Sequence, residues 1–358
     1  MQVIPDAEPE TLAGFDHLVD ARTPAEFALD HVPGAINLPV LTNEERAQVG
    51  TIYVQSSRFE ARRIGGAYVA RNVAHHLDTA MKDWPASAKI LVYCWRGGMR
   101  SNAMATILAN VGWRTATLEG GYRTYRRRVT GLLYGSDLTL PKVVLLDGGT
   151  GSGKTEILKR LASRGVQTLD LEGLAEHRGS LLGALPGQPQ PSQPMFESRL
   201  LAAIEALDSV RPVVIEAESS KVGDRMVPPL LWQAMTTAPR IEVVAAPADR
   251  ARYLAQAYAD IGDDREALKQ LLTRLPDRPG RKRLQAWTAM VEAGEFETLA
   301  QLLIEGHYDP AHRRWLNKRG DKPAAQVHLP SLDADALERA AEEISGLVEK
   351  VAHTDRGA

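Results

Sequence analysis

Two short stretches carry residue types at spacings that can do chemistry: CWRGGMRS at residues 94–101 and GGTGSGKT at residues 148–155. The first opens on Cys94, the only cysteine among 358 residues. One cysteine can close no internal disulfide and builds no zinc site alone, which leaves reactivity or plain core packing. The C-x5-R spacing from Cys94 to Arg100 lets the chain curl a ring of N–H groups around the thiol, with Arg100 near the rim. Such a cradle stabilises an anion, lowers the thiol pKa, and suits nucleophilic or carrier chemistry on sulfur. A lone cysteine after an apolar strand is more often a buried small hydrophobe, but the arginines and glycines that follow favour a functional thiol. His31 and Asp20, near strand ends of the same region, could orient this loop; structural turn contacts are the better reading for each.

The second stretch fits G-x-x-x-x-G-K-[ST] through Gly148, Gly153, Lys154 and Thr155, with Gly149, Thr150, Gly151 and Ser152 between them. Its glycines let successive N–H groups turn inward around a phosphate, and Lys154 adds a point charge. The motif follows a strand and opens a helix, so the phosphate would sit at the positive end of the helix dipole. This pattern neither selects one phosphate ester nor implies nucleotide hydrolysis. Asp170, Glu172, Glu216 and Glu218 could hold Mg2+ directly or through water, or be simply hydrated carboxylates at strand ends. No residue is assigned as a dedicated metal ligand, and no tightly bound cofactor is expected.

The elements around these loops read as two α/β units. HLVDAR (17–22), AINLPV (35–40), KILVYC (89–94) and TATLEGG (115–121) alternate with helical patterns such as SNAMATILANVG (101–112), which implies a small parallel sheet. CWRGGMRS then sits at the carboxyl end of a strand, where open α/β sheets place ligands. The segment VTGLLYGSDLTLP (129–141) suits a connection. A second unit starts with KVVLLDG (142–148), a helix through EILKRLASRG with Gly165 at its C-cap, and strands VQTLDL (166–171), PVVIEAE (212–218) and IEVVAAP (241–247). GALPGQPQPSQP (183–194) reads as an exposed loop, and charged helical spacing takes over from about 248 to 306. The expected domains are 1–137 and 138–358.

Composition, with 44% hydrophobic and 25% charged residues, is that of a soluble globular protein. No apolar run approaches the ~20 residues that span a bilayer, and MQVIPDAEPE lacks a basic start and an apolar stretch, so a cytoplasmic location without membrane contact is expected. With 43 basic against 45 acidic residues, bulk charge neither demands nor excludes a nucleic-acid partner.

LVDARTPAEF, HVPGAINLPV and CWRGGMRS together resemble the rhodanese family, which moves sulfur through a loop cysteine. Rhodanese and P-loop in one chain resemble the tRNA 2-selenouridine synthase family, and the likeness runs nearly full length. It includes NEERAQVGTIYVQ (43–55), LEGGYRTYRR (118–127), DLEGLAEHRGSLLG (170–183), FESRL (196–200), EAESSKVG (216–223) and YDP (308–310). Cys94, Arg96, Gly97, Gly98, Arg100 and Ser101 fall on that family's C-x-R-G-G-x-R-S loop. Lys221 stands where many relatives carry arginine, and EAES replaces a more acidic run. The resemblance implies an α/β protein: a rhodanese-like parallel-sheet domain plus a P-loop NTPase-like α/β domain with a helical C-terminal subdomain. It implies an enzyme that replaces the sulfur of 2-thiouridine at the tRNA wobble position with selenium from selenophosphate. It also links the chain to geranylation of that sulfur by geranyl diphosphate, making an S-geranyl intermediate. Cys94, Arg96 and Arg100 would then be catalytic, with residues 148–155 holding a donor phosphate.

Basic clusters could meet tRNA phosphates: Arg123, Arg126, Arg127 and Arg128; Arg281, Lys282 and Arg283 with Trp287; and Arg313, Arg314, Lys318 and Arg319 with Trp315. Each alone is more often a solvated helix face. Two other functions stay open on the residues: a nucleotide-dependent sulfurtransferase or kinase acting on a small molecule, and a rhodanese-type regulatory protein without catalysis.

Overall fold

The structure, a computed structural model, describes residues 1–180, 183, 187–257, 265–273, 275 and 280–353. It divides into two compact units: Met1–Gly135 with Ser192–Ala202, and Ser136–Pro191 with Ala203–Ala358.

The first unit is built on β1 (Gln2–Ile4), β2 (His17–Asp20), β3 (Ile36–Asn37), β4 (Lys89–Tyr93) and β5 (Arg114–Leu118), all parallel, in the order β1-β5-β4-β2-β3. β4 is apolar and buried from Ile90 to Tyr93, as a strand covered on both faces must be. Ile90 and Val92 pack with Val69 and Val73 of the helix Arg58–Asp78 and with Met104, Ala105 and Leu108 of the helix Met99–Val111. β1 was not anticipated, since three residues at an edge are too few for a periodic signal.

The segment Ser192–Ala202, far along the chain, belongs to this unit and opens the helix Gln193–Glu205. Glu197 is buried there and accepts from the guanidinium of Arg126, from Tyr134 Oη at 2.7 Å and from Gln193 Nε2 at 2.9 Å. A buried carboxylate needs such partners, because an unpaired one costs several kcal/mol, roughly, to desolvate.

The second unit carries β6 (Val143–Asp147), β7 (Gln167–Leu169), β8 (Val213–Glu216), the short antiparallel pair β9 (Lys221–Val222) and β10 (Arg225–Met226), β11 (Arg240–Ala245) and β12 (Ala325–Leu329). Its main sheet is parallel in the order β12-β11-β6-β8-β7, with β6 central and buried throughout. Val144 and Leu146 pack against Ile157, Leu158 and Leu161 of the helix Lys154–Ser163 and against Leu337, Ala341 and Ile344 of the helix Ala334–Ala352.

Helices Pro247–Ala257, Arg265–Thr273, Arg281–Ala293 and Phe296–Leu303 follow, and a π-helical turn at Ile304–Tyr308 leads into the helix Asp309–Arg319. Leu268, Leu272, Trp287, Val291, Leu299 and Leu303 form a separate small core among them. Helical character thus runs beyond the expected 306 to Arg319. Of the region expected to be helical, 258–264, 274 and 276–279 lie outside the described residues, as do 184–186 of the expected loop. Among the described residues, no helix is long and apolar enough to cross a membrane.

Candidate functional site

The thiol site forms where β4 ends. The chain turns through Cys94–Gly98 into the helix Met99–Val111, and the N–H of its N-cap residue, Gly98, donates to Cys94 Sγ at 3.3 Å. Ser101 Oγ, buried in the first turn, lies 3.2 Å from the same sulfur. Burial pushes the Cys94 thiol pKa up, but the hydrogen bonds from Ser101 and Gly98 and the Arg100 charge outweigh it and hold the thiol below its ordinary value.

A second loop closes this cradle from behind. Tyr122 N–H donates to Cys94 O at 2.8 Å, and Gly121 stands at φ +60°, so close that a Cβ there would lie 2.1 Å from that carbonyl. Only glycine tolerates both demands.

Arg100 makes two bonds to Glu26, at 2.6 and 3.2 Å, so its charge is fixed near the thiol rather than free at the rim. Glu26 is itself held as the third residue of the Thr23 capping box on the helix Pro24–Leu29. Arg96 is exposed, and Gly97 and Gly98 are half-buried. His31 and Asp20 do not reach the sulfur loop. His31 stacks on Phe27 at 3.7 Å and bonds its carbonyl, while Asp20 is buried in a pair with Arg22 at 2.6 Å.

The phosphate loop runs from the end of β6 into the helix Lys154–Ser163, whose first-turn N–H groups have no intrahelical partners. Lys154 Nζ spans the loop to Gly148 O at 2.8 Å, and Ser152 N–H closes a turn onto Gly149 O at 3.1 Å. Gly153 caps the helix in the left-handed region at φ +78°, where a Cβ would meet Leu337 at 2.7 Å. Thr150 O takes a hydrogen bond from Arg250 at 3.2 Å. Gly148 N–H donates to Asp147, whose carboxylate also pairs with Arg240 at 2.7 Å and His312 at 2.9 Å. Burial pushes the Asp147 pKa up, yet His312, Lys154 and the Gly148 N–H hold it below the usual carboxylate value.

Beside this loop stands an acidic group. Thr155 Oγ1 donates to Glu172 at 2.9 Å, and Glu172 N–H donates to the buried Glu216 at 2.8 Å. Glu218 is pushed up to about 8, by burial and then by Glu172, with Lys154 opposing. Asp170 caps the short helix Leu171–Leu174 through Gly173 N–H at 2.7 Å. Among the described residues, no group of three or more His, Cys, Asp or Glu side chains is arranged to hold a metal ion.

Glu218 also lines a cavity of about 300 Å3 whose other walls are Leu145, Trp232, Met235, Thr236, Trp315, Lys318 and Arg319. Trp315 stacks on His312, the partner of Asp147, with ring centroids 5.9 Å apart. The cavity therefore shares residues with the network around the phosphate loop. Glu218, Trp315, Lys318 and Arg319 are singled out by the sequence for other reasons, but the cavity they line, the Asp147–His312 pair and the pair of Arg250 with Asp309 at 2.6 Å are not. YDP (308–310) marks Asp309 only through resemblance.

The basic clusters separate by environment. Arg127, Arg281, Lys282, Arg283, Arg313 and Arg314 are exposed. Arg126 is engaged by Glu197 and Asp30, and Arg128 by Glu8. Arg319 pairs with Asp321 and donates to the carbonyls of Met235 and Ala238 at the end of the helix Pro229–Thr237. Trp287, expected to meet RNA, is buried in the small helical core, because it shares the apolar stripe of Leu284 and Val291.

A cysteine cradled at a strand end in one unit, and a strand–loop–helix phosphate cradle in the other, define a rhodanese-like domain joined to a P-loop-like domain. The rhodanese-like domain model matches residues 8–128, and the tRNA 2-selenouridine synthase AAA domain model matches residues 141–331. The chain belongs to the tRNA 2-selenouridine synthase family, whose members are tRNA-modifying enzymes. Similar solved structures include the N-terminal domain of a protein named for ATP/GTP binding from Clostridium difficile 630, 36% identical, covering 35% of this chain and 98% of that one with a TM-score of 0.31. Another is a rhodanese-related protein from Thermoplasma volcanium, 18% identical, covering 36% of this chain and 93% of that one with a TM-score of 0.24.

Proposed function

We propose that this enzyme is a transferase that exchanges the sulfur of wobble 2-thiouridine for selenium from selenophosphate, by way of an S-geranyl intermediate made with geranyl diphosphate. Lys154, Thr155 and the loop N–H groups hold the donor phosphate, and Cys94 handles the selenium. The observation that supports this reading is the cavity that Glu218 links electrostatically to Lys154 of the phosphate loop. Leu145, Trp232, Met235 and Trp315 on one part of its lining and Lys318 and Arg319 on another suit an anionic ligand with an apolar body, and about 300 Å3 is at the small end of ligand pockets.

The chemistry gives each part a task. In the first step the thiouridine sulfur attacks C1 of the geranyl chain, the C1–O bond breaks, diphosphate leaves, and the base loses its N3 proton. Charge develops on the departing diphosphate, which is where fixed N–H groups and Lys154 are most effective. In the second step the selenium of selenophosphate adds at C2 and the C2–S bond breaks; water then attacks phosphorus, the Se–P bond breaks, phosphate leaves, and the base regains its N3 proton as 2-selenouridine. A thioether sulfur leaves as geranylthiol with one proton, more readily than a thiocarbonyl sulfur could. The low-pKa Cys94 cradle suits an anionic chalcogen.

The test is to incubate the enzyme with 2-thiouridine tRNA and geranyl diphosphate, digest the RNA, and weigh the nucleosides. A geranyl mass gain on the thiouridine is expected; no gain with intact enzyme and substrate contradicts the donor assignment.

A further inference from the structure

The residue after the reactive cysteine is built into a stack that ends at the surface. Arg22 is buried and fixed by Asp20, whose carboxylate accepts from Nε and Nη2 at 3.0 and 2.6 Å. Its guanidinium lies 3.9 Å from the ring centroid of Tyr122. The Tyr122 hydroxyl is tied to Asp30 at 2.5 Å, so this ring is fixed as well. Trp95 then lies on Tyr122, with centroids 5.3 Å apart and planes 30° from parallel. Yet 39% of Trp95 remains exposed, although its neighbours Tyr93 and Cys94 are buried. A cation, a phenol and an indole thus form a ladder whose last member meets solvent.

The arginines near Trp95 in sequence or on the following helix fall into two groups. Arg100, Arg126 and Arg128 are each paired with a carboxylate. Arg96 and Arg123 are exposed and pair with no carboxylate among the described residues. The Arg123 main chain is joined to that of Trp95, its N–H donating to Trp95 O at 3.3 Å. Exposed arginines beside a pre-positioned aromatic face are what an unpaired nucleotide needs: stacking for the base and guanidinium groups for its flanking phosphates.

We propose that Trp95, Arg96 and Arg123 form the docking platform for an unpaired nucleotide of the tRNA, the base stacking on the indole and the adjacent phosphates meeting the two arginines. The nucleotide is thereby brought beside Cys94. The platform rests on the tRNA substrate of the family, and its use in the reaction rests on the role proposed for Cys94. Arg96, expected among the catalytic residues, contacts a phosphate of the substrate in this arrangement.

The test uses the full chain and an anticodon stem-loop RNA with plain uridine at the wobble position, so that no chemistry follows binding. Affinity is measured over a range of salt, against a fully paired duplex of the same length. Trp95→Ala should weaken loop binding about 5- to 150-fold, the range for one stacked base, and leave duplex binding nearly unchanged. Trp95→Phe, which keeps a stacking face, should retain most of the affinity. Arg96→Ala and Arg123→Ala should each flatten the dependence of log K on log salt by about 0.7, the value for one phosphate contact in a single strand. Unchanged loop affinity in Trp95→Ala overturns the platform, as does an equal loss in the Ala and Phe variants. Unaltered salt slopes in both arginine variants also overturn it. If wild-type enzyme modifies tRNA while Trp95→Ala binds the loop normally, only the platform falls. If binding depends on Trp95 but no sulfur is exchanged, the platform stands and the proposed reaction falls.

Discussion

Arg250 grips Asp309 with both terminal nitrogens, at 2.8 and 2.6 Å, while one of them also donates to Thr150 O in the phosphate loop at 3.2 Å. The loop is therefore braced from a helix that begins more than 150 residues later in the chain. Arg250 is buried, and a bidentate pair of this kind is geometrically demanding as well as strong.

Asp309→Ala leaves that guanidinium buried without its carboxylate. The variant should lose about 3 kcal/mol of stability, the lower end for breaking a buried pair, because Asp309 is partly open to water. Urea unfolding measures this, and binding of inorganic diphosphate should weaken along with it.

The thiol makes its own prediction. Cys94 is the only cysteine, so alkylation by iodoacetamide against pH reports it alone. The midpoint should lie below that of an ordinary cysteine, because the hydrogen bonds and Arg100 outweigh burial. Ser101→Ala should raise it by about one pH unit, the effect of roughly one hydrogen bond.

Gly121→Ala tests the close approach behind the cradle. At φ +60° and ψ −146°, a region left essentially to glycine, an alanine is strained by about 1–3 kcal/mol, and the clash with Cys94 O adds to that. Thermal unfolding should show a loss of more than about 2 kcal/mol, with the thiol midpoint moving upward as the loop opens.

Much of this arrangement was legible in the sequence, and the reason is locality. β4, β6 and the two loops show continuous apolar runs followed by glycines within a dozen residues, and both loops stand at strand ends as read. The helix Ala334–Ala352, absent from the expected elements, carries an apolar stripe of Ala336, Leu337, Ala340, Ala341, Ile344, Val348 and Val351, a periodic signal the sequence does hold. The brace of Arg250 on Asp309, the pairing of His312 with Asp147, and the cavity between Leu145 and Trp315 join positions 59 to 170 residues apart, for which no local pattern exists. Trp287 shows the opposite failure. Its basic neighbours are exposed, but its own place in the helical period turns it inward.

Glu218 gives a pH dependence with a definite sign. Its carboxyl is pushed up to about 8 in the folded protein, whereas in the unfolded chain it ionises near the ordinary 4.5. Between those values the unfolded state releases a proton that the folded state retains, so this group's contribution to stability is full below about 4.5 and is lost as pH rises to about 8. Glu218→Gln should flatten that part of the stability profile and be relatively more stable than wild type at pH 8. An unchanged slope in the variant would place the titration elsewhere.

The division of labour between Cys94 and Lys154 is tested most directly by nucleoside mass analysis. Wild type, Cys94→Ala and Lys154→Ala are each incubated with 2-thiouridine tRNA and geranyl diphosphate, and separately with S-geranylated tRNA and selenophosphate. Lys154→Ala should fail to add the geranyl group. Cys94→Ala should retain at least some geranylation and yield no 2-selenouridine. Full conversion to 2-selenouridine by Cys94→Ala would contradict the account.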